Sequence, residues 1–233
     1  MCGRYTLKDV KAAAGKYGIA ADVLAAMGSR FNICPSQLVP VVRPTAGGLA
    51  GEVMKWGLVP FWDESEKPKM APINARSEEV LAKPTFRQSL QRRRCLVLAD
   101  GFYEWQRLDE DTKIPFHIQL KAGRPFAMAG IFEDATTTRP ATLAMLTTRP
   151  NAIMEPIHNR MPVILTEESE ERWLTDGPID AESLSSITNP YAADEMEAFA
   201  VSRLVNNPRN DAPECVEPVP DAQPDEGGGP NSR

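Results

Sequence analysis

The second residue of the chain is a cysteine. Cellular aminopeptidases remove an initiating methionine before small residues, and Cys2 would then carry a free α-amine and a thiol on one carbon. Such an aminothiol attacks a carbonyl first through nitrogen and then through sulfur, closing a stable five-membered ring. It can also use sulfur as nucleophile with its own amine as base. Three more segments hold groups suited to chemistry. In Asp100-Gly101-Phe102-Tyr103-Glu104-Trp105, strand periodicity puts Glu104 on the face of Phe102 and opposite Tyr103 and Trp105. A carboxylate among aromatics loses hydration, and its pKa rises toward useful acid–base values. In Pro72-Ile73-Asn74-Ala75-Arg76-Ser77-Glu78, Asn74 can donate and accept hydrogen bonds, and Arg76 can grip a phosphate bidentately. In Pro156-Ile157-His158-Asn159-Arg160, His158 is a proton shuttle near neutral pH, and an extended loop would point Arg160 the same way.

Each segment also has a plain structural reading. These are an exposed strand glutamate beside aromatics, a helix-capping loop with a surface arginine, and a hydrogen-bonded loop histidine. Local pattern alone favours them. Trp56-Gly57-Leu58-Val59-Pro60-Phe61-Trp62 is similar: its aromatics can stack on unpaired bases or simply pack, and packing suits Trp56 better than Trp62.

The elements that must position these groups follow from periodicity and turn chemistry. Helices are expected over Lys8–Tyr17, Ala21–Met27, Ser77–Lys83, Thr85–Gln91, from a Thr166 cap to Leu174, and over Ile179–Ser186. Strands are expected over Leu38–Arg43, Glu52–Trp56, Cys95–Ala99, Phe102–Gln106, Pro115–Leu120, Phe126–Phe132, Ala141–Thr148 and Pro162–Leu165. Asp100-Gly101 reads as a turn between two of them. Many short strands with interspersed helices predict an α+β fold, with a mainly antiparallel, barrel-like twisted sheet and peripheral short helices. Residues 1–211 read as one domain. Residues 212–233, with five prolines and a Gly227-Gly228-Gly229 run, read as an acidic disordered tail.

The chain has 233 residues and is 42% hydrophobic, enough for one sizeable core. No apolar run reaches the length of a membrane helix, and no export signal is visible. Cys2, Cys34, Cys95 and Cys215 are widely spaced and read as free thiols in a reducing compartment, with no metal site. The net charge of −6 argues against a nucleic-acid partner only at first sight. Six acids and one base fall within residues 210–233, so residues 1–209 carry 25 bases and 26 acids. A nearly neutral body can hold a locally positive groove.

Taken together, MCGRYTL, FNICPSQLVPVV, MKWGLVPFW, INARSE, CLVLADGFYEW, LTT, HNRMPVIL and VSRLVNNPRND, in that order, resemble the SOS response-associated peptidase (SRAP) family of abasic-site processing proteins over about residues 2–211. The resemblance implies a sensor of abasic sites in single-stranded DNA. Its N-terminal Cys2, exposed by self-removal of Met1, would form a thiazolidine crosslink with the aldehyde of the ring-opened sugar, with weak abasic lyase activity as a side reaction. It also implies the site. Asn74 would position the N-terminus and sugar, Glu104 would transfer protons, and His158 would act near the sugar and 3′ phosphate. Arg4, Arg76 and Arg160 would bind phosphates. Pro35 and Trp62 would wedge and stack against flanking bases, and Thr147 would make a further DNA contact. The resemblance implies no cofactor or metal and no membrane partner. It fits a cytoplasmic monomer, nucleoid-associated in a bacterium. Two other classes remain: an N-terminal-nucleophile amidohydrolase of the glutamine amidotransferase type, and a passive single-strand-binding module.

Overall fold

The computed structural model describes residues 2–19, 28–65 and 67–219. The helix expected over Ala21–Met27 and the tail from residue 220 lie outside them. Thirteen strands and four short helices are described: β1 Arg4–Leu7, α1 Val10–Tyr17, β2 Arg30–Ile33, β3 Leu38–Thr45, β4 Gly48–Trp56, β5 Asn74–Arg76, α2 Pro84–Arg92, β6 Arg94–Ala99, β7 Gly101–Arg107, β8 Lys113–Leu120, β9 Phe126–Glu133, β10 Thr142–Thr148, β11 Met161–Pro162, β12 Ile164–Leu165, α3 Glu167–Leu174, α4 Ala181–Ile187 and β13 Met196–Ala200. The protein is a single-domain α+β fold of twisted sheets. Five strands close a ring in the order β3, β4, β10, β9, β6 and back to β3, which removes open edges from the core. Its pairings are antiparallel except β4 with β10. β5 adds a second parallel pairing on β10. The other sheet runs β13-β8-β7-β1-β2 and is antiparallel throughout.

The local reasons are readable. Asp9 caps α1 by accepting from the Ala12 N–H, and Gly18 ends it at φ 61°. Pro84 opens α2, where its missing N–H costs nothing. Thr166 caps α3 and Glu167, Glu168 and Glu170 complement its N-terminal dipole, while Trp173 is buried and its indole donates to the Cys95 carbonyl. Ser77–Lys83 is a run of turns rather than the expected helix. The Ser77 N–H donates to the Thr147 carbonyl at 2.9 Å, carrying the β5 pairing one residue further. The Pro162–Leu165 run divides into β11 on β10 and β12 on β9.

Asp100-Gly101 does not turn a hairpin: it passes the chain from the ring to the other sheet, since β6 pairs β3 and β9 while β7 pairs β1 and β8. Gly101 is required because a side chain there would meet the His117 ring and the Thr6 hydroxyl. The second sheet has two covered faces. Phe102 on one face joins the main core with Cys2, Tyr5 and the ring strands. Tyr103 on the other packs with Val201, Val205 and Cys215. Residues 213–219 therefore belong to the body rather than to a tail starting at 212. Pro213–Val216 forms a 3-10 turn with Cys215 buried, and the Val219 N–H donates to the Ala200 carbonyl at 3.0 Å.

Candidate active site

β1 brings the start of the chain to the middle of the second sheet. Arg4 lies opposite Tyr103 on β7, which sets residues 2 and 3 beside Trp105 and Glu104. Cys2 is buried, and its Sγ lies 3.8 Å from the Arg4 carbonyl. On its other side β5 presents Asn74, whose Nδ2 donates to the Cys2 carbonyl at 2.7 Å. A carbonyl only accepts, so this bond fixes the amide's orientation. The Asn74 Oδ1 is then buried with no partner among the described residues, an acceptor for an amine or hydroxyl. Burial, followed by the negative charge of Glu104, raises the Cys2 thiol well above its ordinary pKa.

Glu104 is 2% exposed, which overturns the reading of an exposed strand glutamate. Its alternation is the expected one, on the Phe102 face. Burial pushes its carboxyl up to about 7. His158 approaches it, with Nε2 3.9 Å from Glu104 Oε2. The segment carrying His158 is coiled rather than extended: the Met154 N–H donates to Asn151 and the His158 N–H to Met154. The Arg160 N–H donates to His158 Nδ1 at 3.0 Å. The Arg160 carbonyl lies 3.2 Å from the same nitrogen, but the N–H is an obligate donor and makes Nδ1 the acceptor. A neutral ring then carries its proton on Nε2, facing Glu104. Burial holds the imidazole below its ordinary pKa. A carboxyl raised to neutrality and a neutral imidazole pointed at it form a proton-transfer pair. Both line an open cleft of about 1110 Å³ together with Trp105, Arg107, Lys113, Arg203 and Asn206.

The structure thus gathers Cys2, Asn74, Glu104 and His158. The six residues expected to touch DNA divide. Trp62 is 50% exposed and stands edge to face with exposed Phe61, ring centroids 5.0 Å apart. Pro35 is half-buried, and exposed Arg76 pairs with Glu79, at 3.2 Å. The other three are occupied internally. The Arg4 guanidinium donates to Asn32 Oδ1 at 2.9 Å and to the carbonyls of Val205 and Asn206 at 2.6 and 3.3 Å. Arg160 grips both Glu78 oxygens at 2.8 Å and also donates to the Thr147 carbonyl at 2.5 Å. Thr147 is fully buried and its hydroxyl faces Arg160, so its side chain supports that arginine.

Several supporting residues escape a sequence reading. Buried Asn32 donates to the carbonyls of Val205, Asn207 and Asn210. Asp211 accepts from the N–H groups of Phe31 and Asn32 and pairs with Arg30. These bonds clamp residues 203–211 onto β1 and β2 and bring Arg203 and Asn206 to the cleft. The signal was the VSRLVNNPRND run, whose amides and carboxylate are too dense for a mere linker. All four cysteines are buried thiols outside any disulfide. Among the described residues no group of three or more His, Cys, Asp or Glu side chains can hold a metal ion, and no helix is long and apolar enough to cross a membrane.

Fold and site together define a single-domain α+β protein whose second residue, a cysteine, is packed against a buried carboxyl and its histidine. The family model described as SOS response associated peptidase (SRAP) matches residues 1–208, and the chain belongs to that family. It is 42% identical over 225 residues to the abasic site processing protein YoqW of Bacillus subtilis, covering 93% of this chain and 99% of that one. It is 33% identical over 199 residues to the rat abasic site processing protein HMCES, covering 71% of this chain and 56% of the longer relative. A crystal structure of a protein from Bacteroides thetaiotaomicron superposes with a TM-score of 0.80 at 28% identity, over 94% of this chain and all of the other.

Proposed function

We propose that this protein processes abasic sites in single-stranded DNA by capturing the open sugar's aldehyde on a Met-free Cys2. The observation that carries the reading is the convergence on residue 2: Asn74 holds its carbonyl, while Glu104 and His158 meet at 3.9 Å beside it on the cleft wall. The naming of two relatives as abasic site processing proteins supports the substrate class.

The electrostatics argue for an order of events. The Cys2 thiol is raised by burial and by Glu104, so no thiolate waits in the resting site. An α-amine, with a reference pKa near 7.7, is partly neutral at pH 7 and attacks the C1′ aldehyde first. The carbinolamine hydroxyl takes a proton from the Glu104 carboxyl and leaves as water, giving an imine whose nitrogen keeps its own proton. The Glu104 carboxylate then accepts the thiol proton as sulfur adds to the imine carbon. This restores the Glu104 carboxyl, and the thiazolidine closes with a neutral ring nitrogen and one water released overall. Glu104, at about 7, is suited to both directions of transfer. His158 Nε2–H stabilises the carboxylate between the steps. If sulfur does not add, the imine acidifies the neighbouring sugar C–H and β-elimination cuts the strand, a weak lyase activity. Removal of Met1, by the protein itself or otherwise, is the precondition, because an amide nitrogen forms no imine. Exposed Trp62 and Arg76, with half-buried Pro35, provide the stacking and phosphate contacts for an unpaired strand. The reaction needs no cofactor and one copy of the chain.

The test incubates Met-free protein with single-stranded and duplex DNA bearing one abasic site. The single strand is expected to give a product that survives boiling in denaturant, with the added mass on residue 2. A Cys2→Ala protein that crosslinks as stably as wild type sinks the reading.

A further inference from the structure

A second cavity, of about 130 Å³, lies away from the catalytic cleft and is lined by Ser36, Lys55, Ser65, Thr138, Arg139 and Thr142, among others. That volume corresponds to about four waters, enough for one tetrahedral oxyanion. Among the described residues, two cations and four hydroxyls line it and no carboxylate does. Neither Lys55 nor Arg139 forms an ion pair among the described residues. Asp63 turns its carboxylate to the Ser65 hydroxyl and to the Ser65 and Lys69 N–H groups, and its backbone carbonyl accepts from Arg139. Arg139 Nε is buried with no hydrogen-bond partner among the described residues. A buried charged donor lacking an acceptor is costly, and an anion relieves that cost.

The backbone adds an independent sign. Ser36 is the one non-glycine residue among those described with positive φ, at 70°. Its N–H is already used by the Trp56 carbonyl at 2.7 Å. Left-handed conformations at non-glycine residues are uncommon and concentrate at ligand sites.

We propose that this cavity is an anion subsite that seats a backbone phosphate of the bound DNA strand. The proposal rests on the single-strand reading above and extends it. Pro35 immediately precedes Ser36, and Arg139 ties down the loop that carries Trp62, through the carbonyl of the residue that follows it. A strand stacked on Pro35 and Trp62 therefore runs its phosphates past Lys55 and Arg139. These cations add to the arginines expected at phosphates, of which Arg4 and Arg160 also bond within the protein.

The test measures binding of an undamaged single-stranded oligonucleotide across a salt series. It compares wild type, Lys55→Gln, Arg139→Gln, the double variant and the charge-preserving Arg139→Lys. The slope of log affinity against log salt is expected to shrink by about 0.7 for each phosphate that a variant no longer neutralises. The double variant should bind about tenfold more weakly at low salt, and Arg139→Lys should retain most of the slope. A folded double variant with the wild-type slope overturns the proposal. Lys55 is exposed, so Lys55→Gln supplies a folded variant even if Arg139→Gln does not. Inorganic phosphate titrated against melting temperature separates the sources. A rise that the double variant lacks, with an unchanged DNA slope, assigns the cavity to free phosphate and overturns its assignment to the strand. The oligonucleotide has no abasic site, so a failure here is distinct from a failure of aldehyde capture by Cys2.

Discussion

Asp100 and Glu104 lie four residues apart in one stretch of chain and are almost equally buried, at 3% and 2% exposure. Their surroundings differ. Asp100 accepts from the Thr6 hydroxyl at 2.6 Å and from the N–H groups of Lys8 and Asp9 at 2.5 and 3.0 Å. It fastens the turn after β1 to the start of β7, where its charge is matched by fixed donors. Glu104 carries the cost of its burial in a carboxyl raised to about 7. The same degree of burial yields a structural bolt where donors are fixed and a carboxyl raised to neutral pH where the loss of water outweighs its partners. The two histidines repeat the contrast. His117 is enclosed by Tyr103, Phe199 and Thr6, while His158 opens onto the cleft.

This contrast can be broken by substitution. Asp100→Ala should show the largest effect, a loss of about 3 kcal/mol in denaturant unfolding, because three donors lose their acceptor together. Capture by the folded fraction should change little, and a loss below about 1 kcal/mol would erase the distinction between the two acids. Glu104→Gln should do the reverse. Capture of abasic DNA should slow about a hundredfold in single-turnover assays, while stability at pH 8 rises by about 2 kcal/mol. Slower capture with lowered stability would make Glu104 a structural residue. His158→Gln should slow capture about tenfold and displace the pH–rate profile, with stability little altered.

The pH dependence of stability sharpens the same comparison. A Glu104 carboxyl raised to about 7 from 4.5 binds more protons folded than unfolded within that window, so it lowers stability as pH rises through it. His117, held at about 3 against 6.5 by burial, binds more protons unfolded, so stability rises with pH between those values. The two slopes oppose each other between about pH 4.5 and 6.5. Wild type should melt at nearly constant temperature across that range, whereas Glu104→Gln should climb by several degrees. Parallel curves for the two proteins would rule out the raised carboxyl.

The strands of the ring were legible because β3, β6, β9 and β10 are runs of Val, Leu, Ile, Phe and Ala bounded by turn residues. β1, β2 and β5 were not. At three or four residues each they hold little periodicity, and their pairing is decided by partners up to about a hundred positions away. Ser77–Lys83 misled because Glu, Leu and Ala favour helix, yet the pairing of β5 with β10 claims the Ser77 N–H. The face of Glu104 followed from strand alternation, but its burial depends on residue 2 and on His158, which no local window contains. Thr147, Arg4 and Arg160 matched motifs by type. Their actual partners, Arg160, Asn32 and Glu78, emerge only when distant segments meet.

Arg4 closes its grip on the Val205 carbonyl across 201 positions. A ribosome releases residue 2 about two hundred residues before residue 205. Until residue 205 emerges, the nascent chain carries its first strand without the wall that Arg4 holds. A transcript broken before codon 203 would yield a polypeptide bearing Cys2, Asn74, Glu104 and His158 but no clasp on the first strand. Such a fragment would leave its second residue without that cover, so the long-range clasp ties the burial of Cys2 to the arrival of residues 203–211.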